Sequence, residues 1–141
     1  MFIGQSTHQI DEKGRIRIPS RFKDELGDKP FITSGTNGCL FVYPAAFAQQ
    51  VLSAKFKEND FAVDAKAMRL LMSNAIFAEE DKQGRILLPN NLIRHAGIKK
   101  NIVTIGAFDR VEIWSQEVWT QYSEEADLDA AIKLMRESSK G

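Results

Sequence analysis

Two nearly identical phrases, DEKGRIRIP from Asp11 and DKQGRILLP from Asp81, hold the residues whose types and spacing could do chemistry. Each places an aspartate four residues before an arginine, Arg15 or Arg85, and a glycine directly before that arginine. An aspartate can accept backbone N–H bonds within a turn, and a glycine can take the positive φ that closes it. An arginine held by the aspartate presents a forked guanidinium, which suits phosphate oxygens and guanine edges. The phrase therefore indicates recognition of phosphate or of a base.

A purely structural role is the simpler interpretation of one such phrase, because the aspartate caps the turn and the arginine folds back to pair with it. Duplication favours the functional interpretation. In a pair related by a pseudo-twofold axis, both turns can reach one face, where the aspartates orient the arginines. The basic residues of the turns would then lie together; they are Lys13, Arg15, Lys82 and Arg85. A two-stranded ribbon of this kind also has the width to enter a major groove.

The sequence offers no arrangement typical of an enzyme or of a metal site. Its single cysteine, Cys39, lies in the apolar run CLFVY and is expected to be a buried, inert thiol. With only His8 and His95 beside it, a metal cage is not expected. There is no Gly-rich phosphate loop, no C-x-x-C, and no general base spaced to activate a nucleophile. We therefore expect neither catalysis nor a cofactor.

Composition places the chain among cytoplasmic globular proteins. Its 141 residues are 43% hydrophobic and 27% charged, which is ordinary for a soluble domain. No apolar run approaches the ~18–20 residues that a membrane helix needs. The start, MFIGQSTHQ, has neither the basic flank nor the apolar stretch of a signal peptide. The lone cysteine fits a reducing compartment.

Charge is segregated along the chain although the net charge is zero. The ranges 13–23 and 82–108 each hold five basic residues and no acid, whereas 111–132 holds six acids and no Lys or Arg. Alternating solvated faces would give a similar distribution. The positive part, however, coincides with the two repeated phrases, which strengthens the prediction of an anionic partner.

The elements that must position the phrases repeat with them. In the first copy a strand (7–10) leads into the turn, and Arg15-Ile16-Arg17-Ile18 alternates as a half-buried strand does. Pro19 suits the start of a short helix that Gly27 ends, and Pro89 and Gly97 do the same in the second copy. Further strands are predicted at 30–34, 39–43, 101–105 and 110–114. Because one hairpin and one helix bury little, the two copies must pack together, exchanging strands to close a small barrel.

Two helical patterns lie outside the repeats. Apolar residues recur at helical spacing in a Met-rich stripe and again near the C-terminus. The stripe consists of Met68, Leu71, Met72, Ala75 and Ile76, and the second set of Leu128, Ala131, Ile132 and Met135. Such faces are more often core or subunit interface than ligand sites, so we expect packing there.

The paired D-x-x-x-R motifs, the R-I-x-[IL]-P strands that follow them, the stretch FDRVEIWS at 108–115 and the start MFIG together resemble the MraZ family of bacterial regulators. Members of that family carry two SpoVT/AbrB-type modules. The resemblance covers essentially the whole chain. It maps the family's motif positions onto Asp11, Lys13, Arg15, Asp81, Lys82 and Arg85. Two departures stand out between the copies, since Arg17 is matched by Leu87 and Lys13 by Gln83.

The resemblance implies a mixed α+β fold with a mainly β core: a swapped-hairpin, AbrB-like β-barrel of the double-psi type, formed by two tandem modules with peripheral helices. The expected divisions are module 1 at 5–47, a helical connector at 48–75, module 2 at 76–119 and a C-terminal helix at 120–141. The resemblance further implies a ring-shaped homo-oligomer. From the residues themselves, the candidate subunit contacts are the hydrophobic face of Phe47, Val51 and Ala54 or the Met-rich stripe, although packing within the chain would use the same residues.

The function implied is sequence-specific binding of double-stranded DNA by a cytoplasmic, nucleoid-associated transcriptional regulator. It would act, commonly as a repressor, on repeated boxes upstream of the division and cell-wall gene cluster that contains its own gene. The predicted DNA-binding residues are Lys13, Arg15, Arg17, Arg21, Lys82, Arg85 and Arg94. Of these, Arg21 and Arg94 are predicted near the starts of the short helices that follow the two phrases, where they would add contacts to the DNA backbone. The predicted motif-orienting residues are Asp11, Gly14, Asp81 and Gly84. No membrane, metal, cofactor or small-molecule substrate is expected. The alternative is an antitoxin-like scaffold that uses the same barrel to bind protein instead of DNA.

Overall fold

A six-stranded antiparallel sheet forms the centre of the computed structural model, which describes residues 1–57 and 61–140. The strands are β1 (Gln5–Gln9), β2 (Arg15–Ile16), β3 (Phe31–Ser34), β4 (Leu40–Tyr43), β5 (Ile76–Phe77), β6 (Ile86–Leu87), β7 (Asn101–Gly106) and β8 (Val111–Ser115). The helices are α1 (Ser20–Leu26), α2 (Ala45–Lys57), α3 (Phe61–Met72), α4 (Asn90–Ala96), α5 (Gln116–Glu125) and α6 (Leu128–Lys140), with a 3₁₀ turn at Thr36–Gly38.

The sheet is assembled from strands of both repeats. Its order is β1-β7-β8-β4-β3-β5, while β2 and β6 pair with each other as a separate ribbon. Strand β1 of the first repeat pairs with β7 of the second, and β5 of the second pairs with β3 of the first. The two halves meet where β4 pairs with β8. Each repeat therefore contributes its first strand to the other repeat's half of the sheet.

The mixed α+β fold with a mainly β core is confirmed, but the closed barrel is not. Within the described residues, the sheet ends at β1 on one side and β5 on the other. The predicted strand at 15–18 is only two residues long, as is its counterpart in the second repeat. Pro19 and Pro89 follow closely, and a proline has no N–H to extend a ladder. The pairing thus forms an open sheet and a ribbon, and the swapped-hairpin, double-psi barrel is not confirmed.

Alternate residues of the central strands are buried on opposite faces of the sheet, as the period of two in a strand requires. One face, with Ile32 and Ile113, packs against the ribbon and against α1 and α4. The other face, with Phe41 and Trp114, packs against Leu52 of α2 and Trp119 of α5. Because both faces are covered, the central strand β4 reads as an apolar run, whereas the edge strand β1 alternates between exposed and half-buried residues.

The short helices begin and end where the sequence predicts. Pro19 directly precedes α1 and Pro89 directly precedes α4, each in an extended conformation. Gly27 and Gly97 follow the last residues of these helices with positive φ, a conformation that glycine adopts at little steric cost. These residues fix the length of both helices.

The Met-rich stripe is not one helical face. Helix α3 ends at Met72, and Ile76 lies in β5, where it pairs with Ile32. Pairing with the edge of the sheet satisfies backbone groups that a longer helix would have left at its exposed end. Near the C-terminus the chain forms two helices in place of the single one predicted, because α6 begins anew where Asp127 accepts the Ala130 N–H at 3.1 Å.

The single cysteine is buried, as predicted. Cys39 is only 1% exposed and packs with Phe31 and Tyr43. Burial raises the pKa of its thiol to about 12, so the reactive thiolate is suppressed at neutral pH. Among the described residues, no helix is both long and apolar enough to cross a membrane.

The substitution Gly106→Ala is expected to destabilise the fold, because β7 approaches the N-terminal segment closely there. An added Cβ would lie 2.3 Å from the Ile3 nitrogen and 2.5 Å from the Phe2 carbonyl carbon. Both are backbone atoms that cannot rotate away, so the free energy of unfolding should fall by roughly 3 kcal/mol in urea titrations. The control Gly38→Ala has open space around it and should lose only about 1 kcal/mol, the cost of its left-handed φ. Equal losses would contradict this reasoning.

Candidate nucleic-acid interface

The first turn is held by the carboxylate of Asp11. Its Oδ1 accepts the backbone N–H of Lys13 at 3.0 Å and of Arg15 at 2.9 Å. Its Oδ2 accepts the Nε–H of Arg15 at 2.6 Å. Gly14 closes the turn with φ 85° and donates its N–H to the Asp11 carbonyl oxygen at 3.1 Å. The Asp11 side chain therefore holds the turn in shape and orients Arg15, the residue that follows the turn.

The second turn repeats this arrangement. Asp81 accepts the N–H groups of Gln83 and Arg85 on Oδ1, both at 2.9 Å, and the Arg85 Nε–H on Oδ2 at 3.0 Å. Gly84 takes φ 76° and donates to the Asp81 carbonyl oxygen at 3.1 Å. The match of donors, acceptors and distances shows that the repeated phrase encodes the same local structure twice.

Both aspartates are stabilised in their charged form. The backbone N–H of Arg15 lowers the pKa of Asp11 more than any other group, and the backbone N–H of Arg85 does the same for the pKa of Asp81. The arginine side chains add to this through a hydrogen bond and through their charge. Each carboxylate is therefore ionised at neutral pH and keeps its hold on the guanidinium.

The ribbon brings the two turns together. Arg15 pairs with Leu87 and Ile16 with Ile86, in antiparallel register. A backbone bond of 2.9 Å from the Leu88 N–H to the Gly14 carbonyl oxygen, outside the ribbon ladder, ties the second strand to the first turn. The predicted meeting of the two turns on one part of the molecule is therefore realised.

Four charges of the motif form one cluster on the ribbon. Besides its bond to Asp81, Arg85 has its Nη1 3.9 Å from Asp11 Oδ2, an ion contact rather than a hydrogen bond. The terminal nitrogens of Arg15 make no hydrogen bond to any residue that the structure describes. About a quarter of each arginine side chain stays accessible, 27% for Arg15 and 22% for Arg85. The guanidinium groups are thus fixed by Nε while their outer edges face solvent.

A shallow cleft of about 240 Å³ lies along this cluster. Its walls include three of the predicted basic residues; these are Arg15, Arg17 and Arg85. Arg17 is itself held across the ribbon, because its Nη1 donates to the Gln83 carbonyl oxygen at 2.8 Å. Lys13 and Lys82 are exposed at their turns, and Lys82 shares a second groove with Arg17. The structure therefore groups these five basic residues around the two turns.

Two predicted basic residues are not part of this group. Arg21 lies at the start of α1 and packs its guanidinium against Gly4, at the N-terminal segment. Arg94 was expected near the start of α4 but lies in its last turn, so that prediction of its position is wrong. The cause is that Pro89 sets the helix start five residues before Arg94. Among the described residues, neither arginine makes a hydrogen bond or ion pair to the ribbon.

Three residues beside the turns were not predicted from the sequence as part of this site. Lys23 of α1 reaches the second turn and pairs with Glu80 at 2.9 Å. His8 lines the cleft, its Nε2 lies 2.6 Å from the Thr104 hydroxyl oxygen, and burial lowers its pKa. Leu87 lies on the exposed side of the ribbon. The alternation of buried and exposed residues in the RILL strand could have predicted that Leu87 is exposed. Only tertiary contacts bring His8 and Lys23 close to the turns. The described residues contain no group of three or more His, Cys, Asp or Glu that could hold a metal ion.

The double substitution Asp11→Asn/Asp81→Asn is expected to weaken the dependence of stability on acid. A carboxylate whose pKa is lower in the folded than in the unfolded state adds stability that is complete above about pH 4 and is lost as pH falls through the folded-state value. The variant should be less stable than wild type at pH 7, and should lose less stability between about pH 5 and pH 3. Urea unfolding at several pH values measures both effects.

The matched control is Asp24→Asn/Asp28→Asn, which removes the same charge from exposed positions that make no ion pair with a described residue. It should keep the acid dependence of wild type. If the Asp11/Asp81 variant also kept the wild-type acid dependence, the two carboxylates would not be holding the turns.

Comparison with known proteins agrees with the motif. A family model described as "MraZ protein, putative antitoxin-like" matches the chain twice, over residues 1–72 and 71–137. A protein of Clostridium acetobutylicum named Transcriptional regulator MraZ is 45% identical over 140 residues, covering 97% of this chain and 98% of that protein. Proteins of the same name from Carboxydothermus hydrogenoformans and Alkaliphilus metalliredigens are 47% and 45% identical, covering 86% and 91% of this chain and 86% and 90% of their own length. With two family matches and relatives of this identity along nearly its full length, the chain belongs to the MraZ family.

Proposed function

We propose that this chain is a sequence-specific, double-stranded DNA-binding transcriptional regulator that reads its target with the ribbon and its two turns. The observation that carries the proposal is the pair of arginines, each fixed through Nε by its own aspartate and both brought to the outward face of one ribbon. The names of the relatives, all called transcriptional regulators, support the same conclusion.

The geometry suits recognition of a base in the major groove. A two-stranded ribbon fits the width of that groove, and an arginine offers two parallel N–H donors to O6 and N7 of guanine. Because the aspartate already holds Nε, the guanidinium plane is set before DNA arrives and less side-chain freedom is lost on binding. Lys13 and Lys82, exposed at the turns, are placed to meet phosphates and so to orient the ribbon without reading sequence.

The regulator is proposed to act as a ring of identical subunits. A chain of zero net charge with a few basic contacts binds DNA weakly, and repetition of the same face raises the affinity for repeated boxes. In this proposal the boxes lie upstream of the division and cell-wall gene cluster that contains its own gene. The protein would be a cytoplasmic, nucleoid-associated repressor and not an enzyme. The proposed divisions of the chain are module 1 at 5–47, a helical connector at 48–75, module 2 at 76–119 and a C-terminal helical segment at 120–141.

Two exposed apolar surfaces are the proposed subunit contact. An apolar groove of about 610 Å³ lies between α2 and α3, lined by Phe31, Leu52 and Met72 among others. The stripe of α6, which contains Ile132 and Met135, is exposed along its whole described length. Lys66 and Arg69 of α3 lie near the groove, and the segment before α6 is acidic, with Glu124, Glu125 and Asp127. A stripe that docks into the groove of the next copy is a head-to-tail contact, and such contacts form a ring when the rotation between successive copies closes.

An antitoxin-like scaffold that binds protein instead of DNA is the second candidate. The description of the matching family model favours it, and so does the exposed apolar stripe of α6. A scaffold has no need of arginines held outward on the ribbon. Removing them should leave its binding unchanged, so the experiment below separates the two functions.

The double substitution Arg15→Ala/Arg85→Ala is expected to abolish sequence-specific DNA binding. Each arginine that contacts a guanine contributes a discrimination of about 1–3 kcal/mol, so the affinity for the target should fall at least about fivefold per arginine. The measurement is fluorescence anisotropy with the DNA upstream of the protein's own gene and with unrelated DNA, at two salt concentrations. The control Lys99→Ala/Lys100→Ala removes the same charge from the exposed segment before β7 and should keep the preference for the target.

Circular dichroism and the mass of the assembly establish that both variants fold and assemble. Equal binding of the ribbon variant and wild type to target DNA would contradict the proposal. A wild type with no preference for its target would favour the protein-binding scaffold.

The substitution Ile132→Glu is expected to break the assembly, because it places a charge in the centre of the proposed stripe. Light scattering behind a sizing column should give a mass several times that of the chain for wild type and a smaller mass for the variant. The control Lys133→Glu alters the neighbouring polar side of α6 and should keep the wild-type mass. A monomeric wild type, or a variant of unchanged mass, would refute this contact.

A further inference from the structure

Leu87 is an apolar residue on an otherwise polar surface. It is 59% exposed and lies in β6, one of the two strands of the ribbon. A single exposed leucine is ordinary on a protein surface and by itself indicates nothing. What distinguishes Leu87 is its position, because the other outward residues of the ribbon are Arg15, Arg17 and Arg85.

The register places Leu87 beside Arg15. The two residues are directly opposed across the antiparallel pair, and the neighbouring pair, Ile16 and Ile86, is buried at 1% exposure each. Opposed residues of a ladder point to the same face, with Cβ atoms about 5 Å apart. Since the isoleucines point into the core, Leu87 and Arg15 both point outward and form neighbours on the proposed DNA-reading face.

Leu87 is also held against the first turn. An added Cβ on Gly14 would lie 3.8 Å from Leu87 Cδ1, so the leucine methyl covers the glycine that closes the turn. Gly14 is buried, whereas its counterpart Gly84 in the second turn is only half-buried. The Leu87 side chain therefore has a defined position next to Arg15.

The opposite half of the ribbon has different chemistry. Leu87 corresponds in the repeat to Arg17, and extending the register by one step sets Arg17 opposite Arg85. Arg17 and Arg85 line the same cleft, and Arg17 donates to the Gln83 carbonyl oxygen. One half of the face thus presents an arginine beside a leucine, and the other half an arginine beside an arginine.

We propose that Leu87 is a specificity-determining residue that contacts the C5-methyl group of a thymine next to the base pair read by Arg15. The thymine methyl is the apolar group among the base edges of the major groove, and apolar side chains are its usual partners. A Cβ separation of about 5 Å is comparable with the rise of 3.4 Å between base pairs, so the two side chains meet neighbouring positions. The half of the target under Arg85 and Arg17 carries no such thymine requirement.

This inference rests on the proposed DNA-binding function, and replacing thymine by 2′-deoxyuridine tests it because only the methyl group is removed. The probe is the DNA upstream of the protein's own gene, prepared with thymine or with uracil throughout, and binding is measured by fluorescence anisotropy. Burial of one methyl is worth about a fourfold change in affinity. Wild type should therefore bind the uracil DNA about fourfold more weakly for each methyl contacted, and Leu87→Ala should bind both DNAs equally.

Two further variants test whether discrimination between thymine and uracil depends on the apolar side chain at position 87. Leu70→Ala is the matched control, since Leu70 is also 59% exposed but lies on α3, and it should discriminate thymine from uracil as wild type does. Leu87→Met keeps an apolar side chain that can reach the methyl group, and should retain part of the discrimination. It also keeps the test decisive if Leu87→Ala does not fold, which circular dichroism reveals.

Replacing thymines one at a time then locates the contact. The sensitive thymine should neighbour the base pair whose recognition is lost in Arg15→Ala and not the one lost in Arg85→Ala. If wild type prefers its target over unrelated DNA but binds thymine and uracil forms equally, the role of Leu87 is refuted and the proposed function stands. Discrimination that survives in Leu87→Ala also refutes it. If wild type binds no DNA specifically, the proposed function and this inference both fail.

Discussion

Strand exchange between the repeats is the constraint on which the rest of the molecule depends. One repeat offers a turn, a short helix and a few strands, which cannot cover their own apolar side chains. By giving β1 to the second half of the sheet and β5 to the first, the repeats bury both faces of the central strands. The conformational entropy lost in ordering each turn is offset by the burial of apolar side chains in a core that neither repeat could form alone.

The same exchange creates the candidate site. Strands β1 and β5 each pair with a strand of the other repeat. The turns that follow them therefore return to the region between the repeats, where β2 and β6 pair. Asp11 thereby comes within 3.9 Å of Arg85, an arginine of the other module. Packing that stabilises the fold and geometry that presents the arginines are therefore two results of one topology, and a change that loosened the exchange would disturb both.

The repeats are alike in what holds the turns and unlike in what surrounds them. The aspartate, glycine and arginine keep their positions, because the turn needs all three. Outward positions that do not hold the turn have diverged, as Arg17 and Leu87 demonstrate. In the proposed function, this asymmetric face on a pseudo-symmetric scaffold distinguishes the two halves of a DNA target, which a fully symmetric face would read alike.

The sequence by itself determined the local structure. Asp11 and Gly14 specify their turn through bonds that span only four residues, and Pro19 and Gly27 set the ends of α1, so short-range chemistry sufficed. Only the tertiary structure decided which strands pair, that the sheet stays open and that Leu87 stands beside Arg15. These are contacts between residues far apart in the chain, and they depend on how two apolar faces pack, which residue spacing along one strand or helix does not encode.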